Sequence, residues 1–184
     1  MTLSVADREK FARYVLQTMA TAVGLDEDYP SVHFVVSDSR FSGVPTTTWI
    51  ELKDYKRVKP VPHESGPAYR LTGSGWVEGL RLAGMLNTPE VLSKTQAVMR
   101  ALKQVVEGRD YHHDPLIEIA FLSLKSGQSA EWCFNLVHSG LLRAMFPTKN
   151  MNAYWDDNSG GVRVPATFGQ EPIFRDRPTS SPTF

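Results

Sequence analysis

The chain of 184 residues has one cysteine, no net charge and no long apolar run. A lone Cys133 excludes an internal disulfide framework. Twenty Lys+Arg balance twenty Asp+Glu, which excludes a histone-like or polybasic binder that draws its affinity from bulk charge. A neutral chain can still carry a basic face. No apolar stretch approaches the roughly 20 residues of a membrane span, and Met1 to Lys10 lacks the basic-then-apolar order of a secretory signal. Gly-x-Ser-x-Gly, Walker and Gly-x-Gly-x-x-Gly motifs are missing, so no hydrolase elbow or phosphate loop is encoded in those forms. These absences predict a soluble cytoplasmic protein, without a membrane role, of one domain or two small ones.

What is present is periodic. Phe11, Val15, Met19 and Val23 recur every four residues and predict a helix over 5–23, ended by Gly24 and the acidic turn Asp26-Glu27-Asp28. Residues 31–36 suit a short strand or a second helix. Pro45 fits a helix start, with Trp49, Ile50 and Leu52 following up to Tyr55. Tyr69 to Thr72 alternates like a strand, Gly73-Ser74-Gly75 reads as a turn, and Trp76 to Ala83 is helical. Beyond these, 89–106 is a helix stopped by Gly108, and 114–124 is a dense apolar helix candidate. Ser129 is an N-cap for a helix over 130–139. Met151 to Trp155 and Val162 to Val164 form a hairpin around Asp156 to Gly161. Four prolines from Pro165 onward indicate an irregular tail.

The halves repeat. A shift of about 84 residues brings Ser42-Gly43 onto Ser126-Gly127, Leu52 onto Leu136 and Val58 onto Leu142. A shift of 83 aligns Leu16, Met19 and Val23 with Met99, Leu102 and Val106. The shared order of elements is the stronger sign of a repeat. Units over 1–87 and 88–165 are expected, then a tail over 166–184.

Leu136-Val137-His138-Ser139-Gly140-Leu141-Leu142 is similar to the exit from the second helix of a winged helix-turn-helix domain. Lys56 stands where the first half would have the glycine. Tyr69-Arg70-Leu71-Thr72-Gly73-Ser74-Gly75 resembles that superfamily's second wing strand and the turn into its last helix. The resemblance implies a mainly α fold with small β-hairpin wings (α+β), as tandem winged-helix domains. It also implies a DNA-binding transcriptional regulator or DNA-associated factor that uses double-stranded DNA as partner.

Such a domain puts its second helix into the major groove, where base edges carry a readable pattern. Thr46, Thr47 and Thr48 would sit at that helix's first turn, where hydroxyls and free N–H groups meet phosphate or base edges. Lys53, Lys56, Arg57, Lys59 and Arg70 follow. Residues 51–70 hold five basic and three acidic residues, a net of +2. In the second half Gln128, Ser129 and Arg163 are the candidates, with Ser126, Lys125, Arg143 and Lys149 near them. Glu131, Asp156 and Asp157 oppose phosphate there. The apolar face of Trp132, Cys133, Phe134, Leu136 and Val137 suggests a dimer or inter-domain contact instead.

His112, His113, Asp114, Cys133 and His138 match no zinc spacing, so neither metal nor cofactor is expected. Cys133 lies in an apolar run, as a buried structural residue would, and no catalytic role is expected. The competing reading is a non-enzymatic adaptor of tandem winged helices that binds a protein partner or forms a homodimer.

Overall fold

A computed structural model of the chain describes residues 4–25, 28–108 and 112–171. Asp26 and Glu27 of the acidic turn, and the tail beyond 171, lie outside the described residues. The chain forms two α+β units, each with helices and a three-stranded antiparallel sheet.

In the first unit, α1 (Val5–Val23) starts where the Ser4 hydroxyl accepts the Asp7 N–H, a cap for one of the four orphan donors of a helix start. Its apolar stripe buries Val15, Leu16, Met19, Ala20 and Val23. The ambiguous segment becomes β1 (Phe34–Val35), then a single 3-10 turn over Ser39–Phe41. Two residues are too few to display a period, and pairing with a later strand decides their state. Next come α2 (Thr46–Asp54), β2 (Val58–Val61), β3 (Ala68–Leu71) and α3 (Gly73–Leu82). The strand order is β1-β3-β2.

Gly73-Ser74-Gly75 is a correction to the sequence reading: these residues are the first turn of α3. The Thr72 hydroxyl caps them by accepting the Gly75 N–H at 3.1 Å. Glycine is required there by closeness. A Cβ on Gly75 would overlap the Arg57 carbonyl, and one on Gly73 would sit 2.7 Å from the Ser139 Cα. Gly79, one turn on, lets α3 lie directly against Leu16 and Ala20 of α1.

The second unit holds α4 (Pro89–Val106), β4 (Leu116–Glu118), α5 (Ile119–Ser126), α6 (Ala130–His138), α7 (Leu141–Met145), β5 (Tyr154–Asp156) and β6 (Gly161–Arg163). Its strand order is β4-β6-β5. The helix expected over 114–124 is therefore corrected to a strand that runs straight into a helix. Continuous apolar residues hide such a junction, because neither period is completed. Residues 166–171 hold no helix or strand, yet Phe168 is buried, and Asn150 exchanges backbone bonds with Gly169 and Gln170.

The repeat is structural as well as alphabetic. α6 begins and ends 84 residues after α2. The left-handed Gly43 (φ 82°) has its counterpart in Gly127 (φ 68°) at the same shift. Lys56 (φ 56°), the one non-glycine with positive φ among the described residues, stands 84 residues before Gly140 (φ 78°). A lysine tolerates that conformation poorly. Here the Lys56 carbonyl is held by hydroxyls of Thr72 (2.7 Å) and Ser74 (3.1 Å). After this point the register breaks: Val58 opens a strand, whereas Leu142 lies in α7.

One buried cluster spans both units. At their seam the Tyr29 ring stacks on Trp76 (centroids 4.9 Å, 10°), and Trp76 meets Trp132 edge-on at 6.3 Å. The Tyr29 hydroxyl and His138 Nδ1 share a hydrogen bond of 2.8 Å. Burial pushes the Tyr29 hydroxyl well above its ordinary pKa, with Asp28 adding to the effect and Arg70 opposing it. The folded state thus favours neutral tyrosine. That contribution is complete below the unfolded value of about 10 and is lost as pH rises from there towards the folded value. Urea denaturation at about pH 11 is expected to give roughly 1.4 kcal/mol less stability from this group than at pH 8. Tyr29→Phe should flatten that alkaline limb; an unchanged slope would show that Tyr29 is not the responsible group. No helix among the described residues is long and apolar enough to cross a membrane.

Candidate nucleic-acid interface

α2 is anchored from within. Trp49 stacks on Tyr69 (5.1 Å, 17°) and meets Phe41 edge-on (5.0 Å), while Leu52 joins the core. This fixes which side faces outward. Thr46, Thr47 and Lys53 are exposed, and Lys53 follows Thr46 by seven residues, two turns along one face. Thr48 is 1% exposed, on the inner face, so its hydroxyl is out of reach of anything on the outer face.

The first turn of α2 carries no side-chain cap, since its N-cap is Pro45. Orphan N–H groups at a helix start, with the positive end of the helix dipole, favour an anion. In the second unit the matching position is occupied: the Ser129 hydroxyl accepts the Trp132 N–H at 3.1 Å. Ser129 is spent on its own helix, and the Gln128 carbonyl accepts from Ser123 at 2.6 Å.

The cations divide by their partners. Lys53 lies 3.6 Å from Asp54, both exposed; such a surface pair contributes only about 0–1 kcal/mol and yields readily to a competing anion. Lys56, Arg57 and Lys59 form no ion pair among the described residues. Arg57 stands near α3, where its charge adds to the stronger pull of Arg81 in holding the Glu78 carboxyl below its usual range. Arg70 is directed elsewhere. It is the register partner of Lys59 across β2 and β3, yet its guanidinium donates to the Pro30 carbonyl at 2.8 Å. Arg163 is fully engaged: it donates to Asp156 at 2.6 Å and to the Asp114 carbonyl at 3.1 Å. That guanidinium holds the Asp156 carboxyl below its usual range.

The geometry therefore brings together Thr46, Thr47 and Lys53 on one helix face, with Lys56, Arg57 and Lys59 at and after its C-terminal end. It withdraws Thr48, Arg70, Ser129 and Arg163. The counterpart helix α6 is enclosed, with Trp132, Cys133, Asn135, Leu136 and Val137 all buried. Of its apolar face, Trp132 meets Trp76 of the first unit, while Cys133 meets Ser126 and Phe134 meets Trp155 within the second.

Sequence reasoning missed Ile50 and Tyr55, which are 45% and 75% exposed beside the same face; their apolar character pointed to the core. Of the potential metal ligands, Cys133 is buried against Ser126, His138 is taken by Tyr29, and His112 and His113 are exposed. Among the described residues no group of three or more His, Cys, Asp or Glu could hold a metal ion. No protein-family model matches the chain, and no curated protein or solved structure is similar enough to count as a match.

Proposed function

We propose that this chain is a non-enzymatic DNA-binding protein, a transcriptional regulator or similar factor, built from two winged-helix units of which the first reads DNA. The strand orders β1-β3-β2 and β4-β6-β5, each with a long helix before the sheet and a hairpin that follows α2 in the first unit and α7 in the second, support the winged-helix reading. One observation carries the functional assignment. Of the two equivalent helices, α2 has an open, uncapped first turn and unpaired cations beyond its end, whereas the first turn of α6 is capped by Ser129 and five of its nine residues are buried. In this reading α2 enters the major groove, Thr46 and Thr47 meet phosphate or base edges, and Lys56, Arg57 and Lys59 flank the backbone. The second unit is a buttress that fixes the first through the Tyr29–Trp76–Trp132 stack.

Titration of the whole protein with duplex DNA at several salt concentrations tests this. Binding that weakens with salt is expected, and Lys53→Ala or Arg57→Ala should each reduce the salt slope by about one if the residue contacts phosphate. No binding at low salt would sink the proposal. The adaptor reading has one observation in its favour, the exposed Ile50 and Tyr55 beside the same helix face. It would replace the DNA reading if duplex binding failed while Ile50→Glu abolished capture of a protein partner.

A further inference from the structure

The face of α5 that points away from α6 has no function in the reading above. Beside it, between α4 and β4, lies an open groove of about 760 Å³. Ala101 and Val105 of α4 form one side, and Leu116 and Phe121 form the other. Leu124, three residues after Phe121 and next to Lys125 in α5, is 80% exposed, the most exposed large aliphatic side chain described. Glu118 and Lys125, at opposite ends of α5, also line the groove.

We infer that this surface is where a second copy of the chain docks, with the two α5 helices antiparallel about a two-fold axis. The argument is self-complementarity. Glu118, the extended N-cap residue of α5, and Phe121 and Lys125 on the helix itself all line this one groove. The acid is at the N-terminal end and the base at the C-terminal end. Antiparallel apposition of two such faces sets Glu118 of each copy opposite Lys125 of the other, while a parallel one sets like charges together. An isologous interface needs this property, because the same patch must be its own partner. The patch also offers an exposed apolar side chain, Leu124, on the same helix as Phe121, which lines the groove with Ala101 and Val105. Lys125 is already held beside the groove, its Nζ 5.5 Å from the Phe121 ring centre. Glu118 forms no ion pair among the described residues. The surface is distinct from α2, so this inference does not depend on DNA binding.

Sedimentation velocity on the whole protein, from low to high micromolar concentration, tests it. A concentration-dependent shift from one to two chain masses is expected. Leu124→Glu should weaken association by at least about 30-fold, the loss typical of an anchor residue. Glu118→Lys alone should also weaken it, and adding Lys125→Glu to that variant should restore it. All three positions are exposed or at the rim, and far-UV circular dichroism checks that each variant remains folded. The inference is overturned if the wild type stays monomeric throughout. It is equally overturned if dimers persist in Leu124→Glu, or if the double charge swap associates no better than Glu118→Lys.

Discussion

Trp76→Ala is expected to lower stability by about 3–5 kcal/mol, the usual cost of emptying a large aromatic site in a packed core. Trp76 is fully buried, stacked on Tyr29 and edge-on to Trp132, and its indole N–H donates to the Gly24 carbonyl at 3.2 Å. Truncation removes three things at once: the largest apolar surface at the seam, two aromatic contacts and the partner of a buried carbonyl. Urea denaturation followed by circular dichroism measures the loss. The effect should extend beyond its size, since the seam joins the units; the two should unfold less cooperatively, with separated transitions. A conservative pair isolates the polar part. Trp76→Phe loses the bonded N–H, a difference of about 0.5–1.5 kcal/mol. Trp132→Phe removes an N–H that is buried without a partner, and should cost less. A loss below about 1.5 kcal/mol for Trp76→Ala would mean that the seam is not packed as a core.

Gly75→Ala is expected to destabilise by about 3 kcal/mol, the upper end of the cost of overpacking. A Cβ at this position runs into the Arg57 backbone, which has little freedom to retreat. The Arg57 carbonyl accepts both the N–H (3.1 Å) and the hydroxyl (3.0 Å) of Thr72. Moving it would break the cap of α3 and disturb the turn that follows α2. Thermal unfolding should therefore show a marked drop in midpoint. If α2 reads DNA, duplex affinity should fall as well, although Gly75 itself touches nothing outside the protein. The adjacent Ser74→Ala is the control. It removes one exposed hydroxyl that donates to the Lys56 carbonyl, for a cost of about 1 kcal/mol or less. Equal behaviour of the two variants would exclude backbone crowding as the cause.

The long helices were legible in the sequence because their signals are local. The four-residue recurrence through Val15, Met19 and Val23 is completed several times within α1, and Val98, Leu102 and Val106 do the same for α4. The two left-handed glycines at Gly43 and Gly127 punctuate both halves at the same spacing. Shorter elements were not legible. β4 passes into α5 without a polar break, and β1 is two residues long, so only hydrogen-bonding partners far along the chain define them. Gly73 to Gly75 looked like a turn because glycine disfavours helices. In the fold the same glycines are what allow a helix to start against another backbone.

The candidate site divides along the same line. Its residue types, three threonines before a run of lysines and arginine, were visible in the chain. The fate of each side chain was not. Thr48 turns inward because it precedes Trp49 on the anchored side of α2. Arg70 is taken by the Pro30 carbonyl 40 residues away, and Arg163 by Asp156 and Asp114.

By itself the sequence determined two repeated α+β units, the register between them and the lack of any overall charge excess. These follow from periodicity, caps and composition, which act over a few residues. Only the tertiary structure decided that the equivalent helices α2 and α6 differ in burial and capping. Burial is a property of contacts between segments: Trp76 packs on Trp132 of α6, Phe134 on Trp155 and Cys133 on Ser126, whereas Thr46, Thr47, Ile50 and Lys53 of α2 stay exposed. The neutrality of the chain gained its meaning at that same step, since folding gives Lys53, Arg70 and Arg163 partners and leaves Lys56, Arg57 and Lys59 without an ion pair among the described residues, beside the exposed helix.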